Sequence, residues 1–236
     1  MTGLDRAAEI AAPWREFPVA RVPRPIVFLG SAVHIGDQGF IDGEAKEAWA
    51  MGAIKSDVAL PDGVMELILD GHRPSASPRS LSITDAQPCE DTYLCDRGPR
   101  HLSAYRLSIS GLRQPCTVID PQVECWWPTH DHAGDMLALG NATVAEDDVT
   151  VQFPAFGGVL TEFLHAEFVE FPTCVVGQAV TSERDVPPGT AVPLVGIRSM
   201  VVGHLAEPLG GRVLLHTDGT PLAVLREGST TSSTYA

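Results

Sequence analysis

Basic residues are scarce in this 236-residue chain. Lys and Arg together number 16 against 30 Asp and Glu, which gives a formal net charge of −14 at pH 7. A surface with such an excess of negative charge repels the phosphates of nucleic acids and the head groups of anionic membranes. The composition therefore argues against a nucleic acid or a membrane as the partner, and it favours solubility.

Long apolar segments are also missing. The longest runs, such as IVFLG and CVVGQAV, are far shorter than the roughly 20 residues that cross a bilayer as a helix. The N-terminal stretch MTGLDRAAEIAAPWREF carries charges throughout, unlike a secretory signal. The cysteines are odd in number and irregularly spaced, at Cys89, Cys95, Cys116, Cys125 and Cys174. We therefore expect reduced thiols in a cytoplasmic protein.

No intact catalytic motif occurs in the sequence. Gly30, Gly36 and Gly39 follow an apolar run, but their spacing differs from that of the dinucleotide-binding fingerprint, and no Walker lysine follows. Neither Ser31 nor Ser199 lies in a G-x-S-x-G elbow, and the cysteines form no paired C-x-x-C knuckles. The motifs thus leave open whether the protein is an enzyme at all.

The first part of the chain, residues 1–71, has a mixed α/β pattern. Arg24 to Gly30 is a short apolar run that predicts a buried strand. Asp42 to Ile54 predicts a helix, because Asp42 can cap an Ala- and Glu-rich segment. Pro61 to Gly71 predicts a second short helix between a proline and a glycine.

The remainder of the chain divides by composition. Residues 72–100 are dense in Pro, Ser and charge, which predicts a long loop or linker. Residues 101–227 contain short β-prone runs separated by Gly and Pro turns, and residues 228–236 predict a disordered tail. Residues 159–171 fit a helix or a strand, and their neighbours favour the strand. The predicted fold class is α+β, mainly an antiparallel β sandwich or partly closed barrel with a small N-terminal α/β portion.

The segment WWPTHDHAGDM suggests a metal site. On a strand, His130 and His132 would point to the same side and could hold zinc or iron. The third ligand would come from one of four residues, Asp135, His165, His204 or His216. The segment resembles the first half of the T-H-x-H-x-D-H motif of the metallo-β-lactamase superfamily, but Gly134 and Asp135 stand where that motif has Asp-His, so the family is not assigned. The favoured interpretation of the segment is a polar surface turn beside a buried Trp, because only two of the three ligands that a metal site needs can be named, and no cofactor is predicted outright.

Aromatic residues suggest a binding surface. Trp126 and Trp127 are adjacent, so on a strand at most one of them faces a given core and the other needs cover. Phe163 and Phe168 lie in residues 153–171, which hold five of the eight phenylalanines of the chain. Such a cluster predicts core packing or the apolar wall of a pocket.

Two functions follow as hypotheses. The first is a cytoplasmic, non-catalytic binding or assembly protein, which presents an acidic surface with an apolar patch near Trp126 and Trp127 to a protein partner or to a second copy of itself. The alternative is a small-molecule enzyme with a pocket in the β domain, in which His130 and His132 hold a metal or transfer protons and Asp135 assists.

Overall fold

The computed structural model describes residues 3–72, 79–123, 126–128, 140–185, 187, 193 and 195–227. Within these residues the chain is mainly β, with three short α-helices, α1 (Ala7–Ala11), α2 (Gly43–Ala50) and α3 (Val64–Leu69). Most strand pairs are antiparallel, and some are parallel. The predicted β-rich character is therefore confirmed. No helix in this part of the chain is long and apolar enough to span a membrane.

The strands are short at the start of the chain and longer after residue 80. In chain order they are β1 (Ile26–Phe28), β2 (Val33–His34), β3 (Ile54–Ser56), β4 (Leu81–Cys95), β5 (Gly98–Ile109), β6 (Cys116–Ile119), β7 (Trp126–Pro128), β8 (Ala142–Val144), β9 (Thr150–Gly158), β10 (Thr161–Glu170), β11 (Cys174–Glu183), β12 (Gly196–His204), β13 (Val213–His216) and β14 (Val224–Arg226).

The chain forms two compact units that interleave in sequence. The first unit comprises Met1–Leu29, Leu94–Gly98 and Cys125–Ala236, and the second comprises Gly30–Tyr93 and Pro99–Glu124. These units cross the predicted limits at residues 71 and 101. Whether residues 1–71 and residues 101–227 fold as separate domains stays a prediction.

The second unit is built on strands in the order β2-β6-β5-β4, with β3 parallel to the start of β4. Asp42 accepts a hydrogen bond from the Ala45 amide and so caps α2, as the sequence predicts. The buried faces of α2 and α3, through residues such as Ala48 and Ile68, pack with Leu81 on β4 in one apolar cluster.

Strand β4 corrects the prediction for residues 72–100. Residues 81–95, expected to be loop or linker, form a single strand of fifteen residues. Its ends are buried, with Leu81 and Ile83 at one end and Tyr93 and Cys95 at the other, whereas most of the middle positions are exposed or half-buried. A strand with an exposed middle needs few apolar residues, so its composition resembles that of a loop.

The first unit contains two sheets, one of three strands in the order β10-β11-β13 and one of four strands in the order β12-β9-β8-β14. Side chains from both sheets, among them Phe153 on β9, Ala166 on β10 and Val201 on β12, meet in one buried cluster. A second cluster joins α1 and Trp14 to β11 and β13. Residues 161–170 form strand β10, so the favoured strand prediction for this segment is confirmed.

Candidate functional site

The outer surface of the four-stranded sheet carries an unusual set of apolar side chains. Strands β9 and β12 pair antiparallel over nine residues, with Arg198 opposite Phe156, Met200 opposite Pro154 and Val202 opposite Gln152. Because side chains alternate along a strand, the neighbours of these residues point into the core. We call the outward set the β9–β12 face; its members are Gln152, Phe156, Arg198, Met200 and Val202, and Pro154, which lies among them, is buried.

Three large apolar residues on this face remain open to solvent. Phe156 is 47% exposed, Met200 42% and Val202 48%. A single exposed apolar residue is ordinary on a protein surface. Three on adjacent, paired strands form a contiguous patch, and such patches mark surfaces that bind other molecules.

Charge lies at opposite ends of the β9–β12 face. At one end the Arg198 guanidinium lies over the Phe156 ring, 5.2 Å from its centroid. At the other end Gln152 Nε2 donates to Glu227 Oε1 over 3.3 Å. Near this end, hydrogen bonds from the Thr150 hydroxyl and from the amides of residues 149 and 150 hold the pKa of Asp147 below its usual value. Charged side chains therefore lie at both ends of the face, whereas Phe156, Met200 and Val202 carry no charge.

A polar cluster in the second unit brings together residues that lie far apart in sequence. His34 Nδ1 lies 3.0 Å from Asp91 Oδ2, and the His34 ring packs on the Tyr93 ring with 4.4 Å between centroids. The hydroxyl of Thr117 and the amide of Thr92 also donate to the Asp91 carboxylate. Burial raises the pKa of Asp91, but these hydrogen bonds outweigh it and hold the pKa below its usual value.

This cluster joins strands and can also orient an imidazole. His34 is on β2, Thr117 on β6 and Asp91 on β4, so their contacts tie three strands together. A carboxylate that fixes an imidazole is also the arrangement that general acid–base catalysis uses. Sequence reasoning missed the pair because 57 residues separate the two side chains and no local motif connects them.

The predicted metal-binding and catalytic residues His130, His132 and Asp135 lie outside the described residues. Their proposed third ligands fall at separate places in the first unit. His165 lies 3.4 Å from Glu167, His204 3.3 Å from the Thr150 hydroxyl and His216 3.5 Å from Asp218. Within the part of the chain that is described, no three His, Cys, Asp or Glu side chains group closely enough to hold a metal ion.

The aromatic residues predicted to bind a partner occupy two different environments. Trp126 and Trp127 form part of β7, which pairs parallel to β1, and their side chains lie outside what the structure describes. Phe163 and Phe168 are half-buried and pack against the core cluster shared by the two sheets. Their positions support core packing, and a role in binding stays a prediction.

A small depression lies beside the N-terminal helix. It has a volume of about 180 Å³ and is lined by Ala8, Ala11, Arg15, Phe171, Pro172 and Thr173. Pockets for small organic ligands usually enclose about 300 to 1,000 Å³. This depression is too small to support the enzyme hypothesis.

Comparison with known proteins gives no family: no protein-family model, no curated protein and no solved structure matches the chain. The function therefore has to be argued from the surface itself.

Proposed function

We propose that the protein is a non-catalytic assembly protein that binds a second copy of itself through the β9–β12 face. The observation that carries this proposal is the exposure of Phe156, Met200 and Val202 on adjacent strands of one sheet. Covering these side chains would remove their apolar surface from water, which favours association by about 25 cal/mol per Å² before the costs of binding are subtracted.

The charge distribution supports a second copy as the occupant. Each chain carries a net charge of −14, so two copies repel one another over most of their surfaces. The exposed apolar positions of the face, Phe156, Met200 and Val202, have no ionisable side chain. Two copies can therefore meet there without burying like charges. A basic partner protein would instead be attracted to the negatively charged parts of the surface outside this face.

We also propose the arrangement of the two sheets and the compartment in which the protein works. The core shared by the two sheets of the first unit supports the predicted sandwich arrangement. No disulfide joins the described cysteines, Cys89, Cys95, Cys116 and Cys174, to one another, which supports a reducing compartment such as the cytoplasm. The patch predicted around Trp126 and Trp127, and the zinc or iron site predicted at His130 and His132, stay predictions.

The test of the proposal is the mass in solution of a Val202→Glu variant, measured by size-exclusion chromatography with light scattering. Glutamate at position 202 places a charge among the exposed apolar side chains of the face, where a second copy would have to desolvate it. We expect the wild-type protein to be a reversible dimer at high concentration, and the variant to be a monomer under the same conditions.

Leu164→Glu provides the matched control. Leu164 is 51% exposed on β10, so the substitution adds the same charge at a similarly exposed apolar position in the other sheet. We expect this variant to have the wild-type mass. A wild-type protein that stays monomeric at every concentration, or two variants that behave alike, would contradict the proposal.

A further inference from the structure

A methionine lies among the exposed apolar side chains of the β9–β12 face. We infer that oxidation of Met200 regulates assembly, because the thioether form permits the dimer whereas the sulfoxide form holds the protein as a monomer. This inference rests on the proposed function, since it specifies how the contact between two copies through this face is controlled.

The strand pairing places Met200 between the other two exposed apolar residues. Phe156 on β9 lies opposite Arg198, two residues before Met200 on β12, and Val202 lies two residues after it. Residues two apart on a strand point to the same side and are separated by roughly 7 Å. A second copy that covers both Phe156 and Val202 therefore covers Met200 as well.

Exposure distinguishes Met200 from the other methionines that the structure describes. Met200 is 42% exposed, whereas Met51 and Met65 are half-buried, and Met65 packs against the apolar cluster of the second unit. In the monomer an oxidant in solution has access to the Met200 side chain. In the dimer that side chain is covered, so the oxidant acts on the monomer and withdraws it from assembly.

The reaction is the transfer of one oxygen atom from hydrogen peroxide to the thioether sulfur. A sulfur lone pair attacks a peroxide oxygen, the O–O bond breaks, and a bond between sulfur and oxygen forms. After a proton transfer, the second peroxide oxygen leaves as water, so the sulfur loses two electrons and the peroxide gains them. Methionine sulfoxide reductases reverse the change, with two thiols oxidised to a disulfide and the oxygen released as water.

The sulfoxide opposes assembly because it is polar and accepts hydrogen bonds. The neighbouring side chains of Phe156 and Val202 have no hydrogen-bond donor to offer it. Burial of an unpaired acceptor weakens an interaction by on the order of tenfold. Two copies that meet through the same face bury Met200 twice, so we expect full oxidation to weaken the dimer by about a hundredfold.

The test is the dissociation constant of the dimer before and after treatment with hydrogen peroxide. The wild-type protein is oxidised while dilute and monomeric, the peroxide is removed, and mass spectrometry of its peptides establishes how much of Met200 carries the added oxygen. Sedimentation equilibrium then gives the dissociation constant, which we expect to rise by about a hundredfold. Reductases for both sulfoxide epimers are expected to restore it, and a thiol reductant alone is not.

Two variants assign the effect to Met200, each compared with its own untreated sample. Met200→Leu retains every cysteine and every other methionine, so peroxide is expected to leave its dissociation constant unchanged. A variant with leucine at residues 51, 65 and 136 retains Met200, and peroxide is expected to weaken its dimer by the same factor as that of the wild-type protein.

The inference and the proposed function fail in different ways. If the untreated wild-type protein dimerises but complete oxidation of Met200 leaves the dissociation constant unchanged, the inference is wrong and the proposed function stands. The same conclusion follows if peroxide does not oxidise Met200 in the monomer, or if it weakens the Met200→Leu dimer as much as the wild-type dimer. If the untreated protein never dimerises, the proposed function itself fails.

Discussion

At the scale of single residues, two ion pairs hold buried charges of the first unit in fixed positions. The Arg24 guanidinium binds Asp96 at 2.6 Å, and Asp96 is only 1% exposed. Arg212, 8% exposed, binds Glu170 at 2.7 Å and donates to the carbonyl groups of residues 207 and 208. Such pairs cost desolvation when they form, but loss of one partner leaves a buried charge without compensation.

Glu170 makes stability depend on pH. Burial by itself raises the pKa of Glu170, but the Ala206 amide and the Arg212 guanidinium outweigh it and hold the pKa below the usual value. A carboxyl whose pKa is lower in the folded than in the unfolded chain stabilises the fold fully above the unfolded pKa, and this contribution is lost as the pH falls through the folded pKa.

We therefore expect Glu170→Gln to be less stable than the wild-type protein at pH 6, with the difference shrinking steadily as the pH is lowered from about 5 to 3. Urea denaturation at a series of pH values measures this difference. The exposed Glu167→Gln substitution on the same strand serves as the control, and its curve is expected to run parallel to that of the wild-type protein. A Glu170→Gln curve that also runs parallel would show that Glu170 does not contribute in this way.

Little of this detail could be predicted from the sequence. Arg24 and Asp96 are 72 residues apart, and Glu170 and Arg212 are 42 apart, so no local pattern connects either pair. The same holds for His34 and Asp91 in the second unit. The helix cap at Asp42 could be predicted, because its acceptor and its donor lie within one turn of the chain.

At the scale of elements, β12 shows how close packing constrains one side of a strand. A Cβ atom added at Gly203 would lie 2.5 Å from the Ala166 carbonyl oxygen and 2.6 Å from the Phe168 ring. Because the Ala166 carbonyl oxygen lies so close, a methyl group fits at residue 203 only if β10 and β12 move apart. Gly196 begins the same strand, and a Cβ atom added there meets nothing within 4 Å.

We expect Gly203→Ala to destabilise the protein by about 1 to 3 kcal/mol, the usual cost of overpacking a filled core. Gly196→Ala is expected to be neutral or slightly stabilising, because it restricts the unfolded chain without creating a clash. Urea denaturation of the two variants at neutral pH measures both changes. Equal stability of the two variants would contradict the close approach of β10 and β12.

The sequence predicted several elements correctly and misjudged others for definite reasons. Asp218 and Gly219 do form the expected turn, with the His216 amide bonded to the Thr220 carbonyl. The two arms of that turn then separate, since β13 pairs with β11 and β14 pairs with β8. A local pattern can locate a turn, but it does not reveal which distant strand each arm will join.

At the scale of the whole molecule, the β-rich character could be predicted from the alternation of apolar and polar residues and from the turns in residues 101–227. The interleaving of the two units could not be predicted. The first unit takes its residues from three separate parts of the chain, among them the five-residue segment Leu94–Gly98. Composition changes along a sequence mark boundaries only where domains follow one another, so a chain that returns to an earlier unit gives no such signal.

The candidate site was likewise only partly predictable. The sequence indicated an apolar patch on an acidic protein, but it located that patch at Trp126 and Trp127. The exposure of Phe156, Met200 and Val202 depends on which side of the sheet faces the core. That choice is set by the packing of β12 against β10 and cannot be derived from the alternation of β12 alone.

Assembly through the β9–β12 face is tested by the rate at which Met200 is oxidised by a brief pulse of hydroxyl radicals, measured at low and at high concentrations of the wild-type protein. Met200 lies within the β9–β12 face, whereas the half-buried Met51 and Met65 belong to the second unit and report the radical dose. We expect the oxidation of Met200, relative to those two residues, to fall severalfold as dimers form. A Met200 rate that does not change with concentration would contradict assembly through this face.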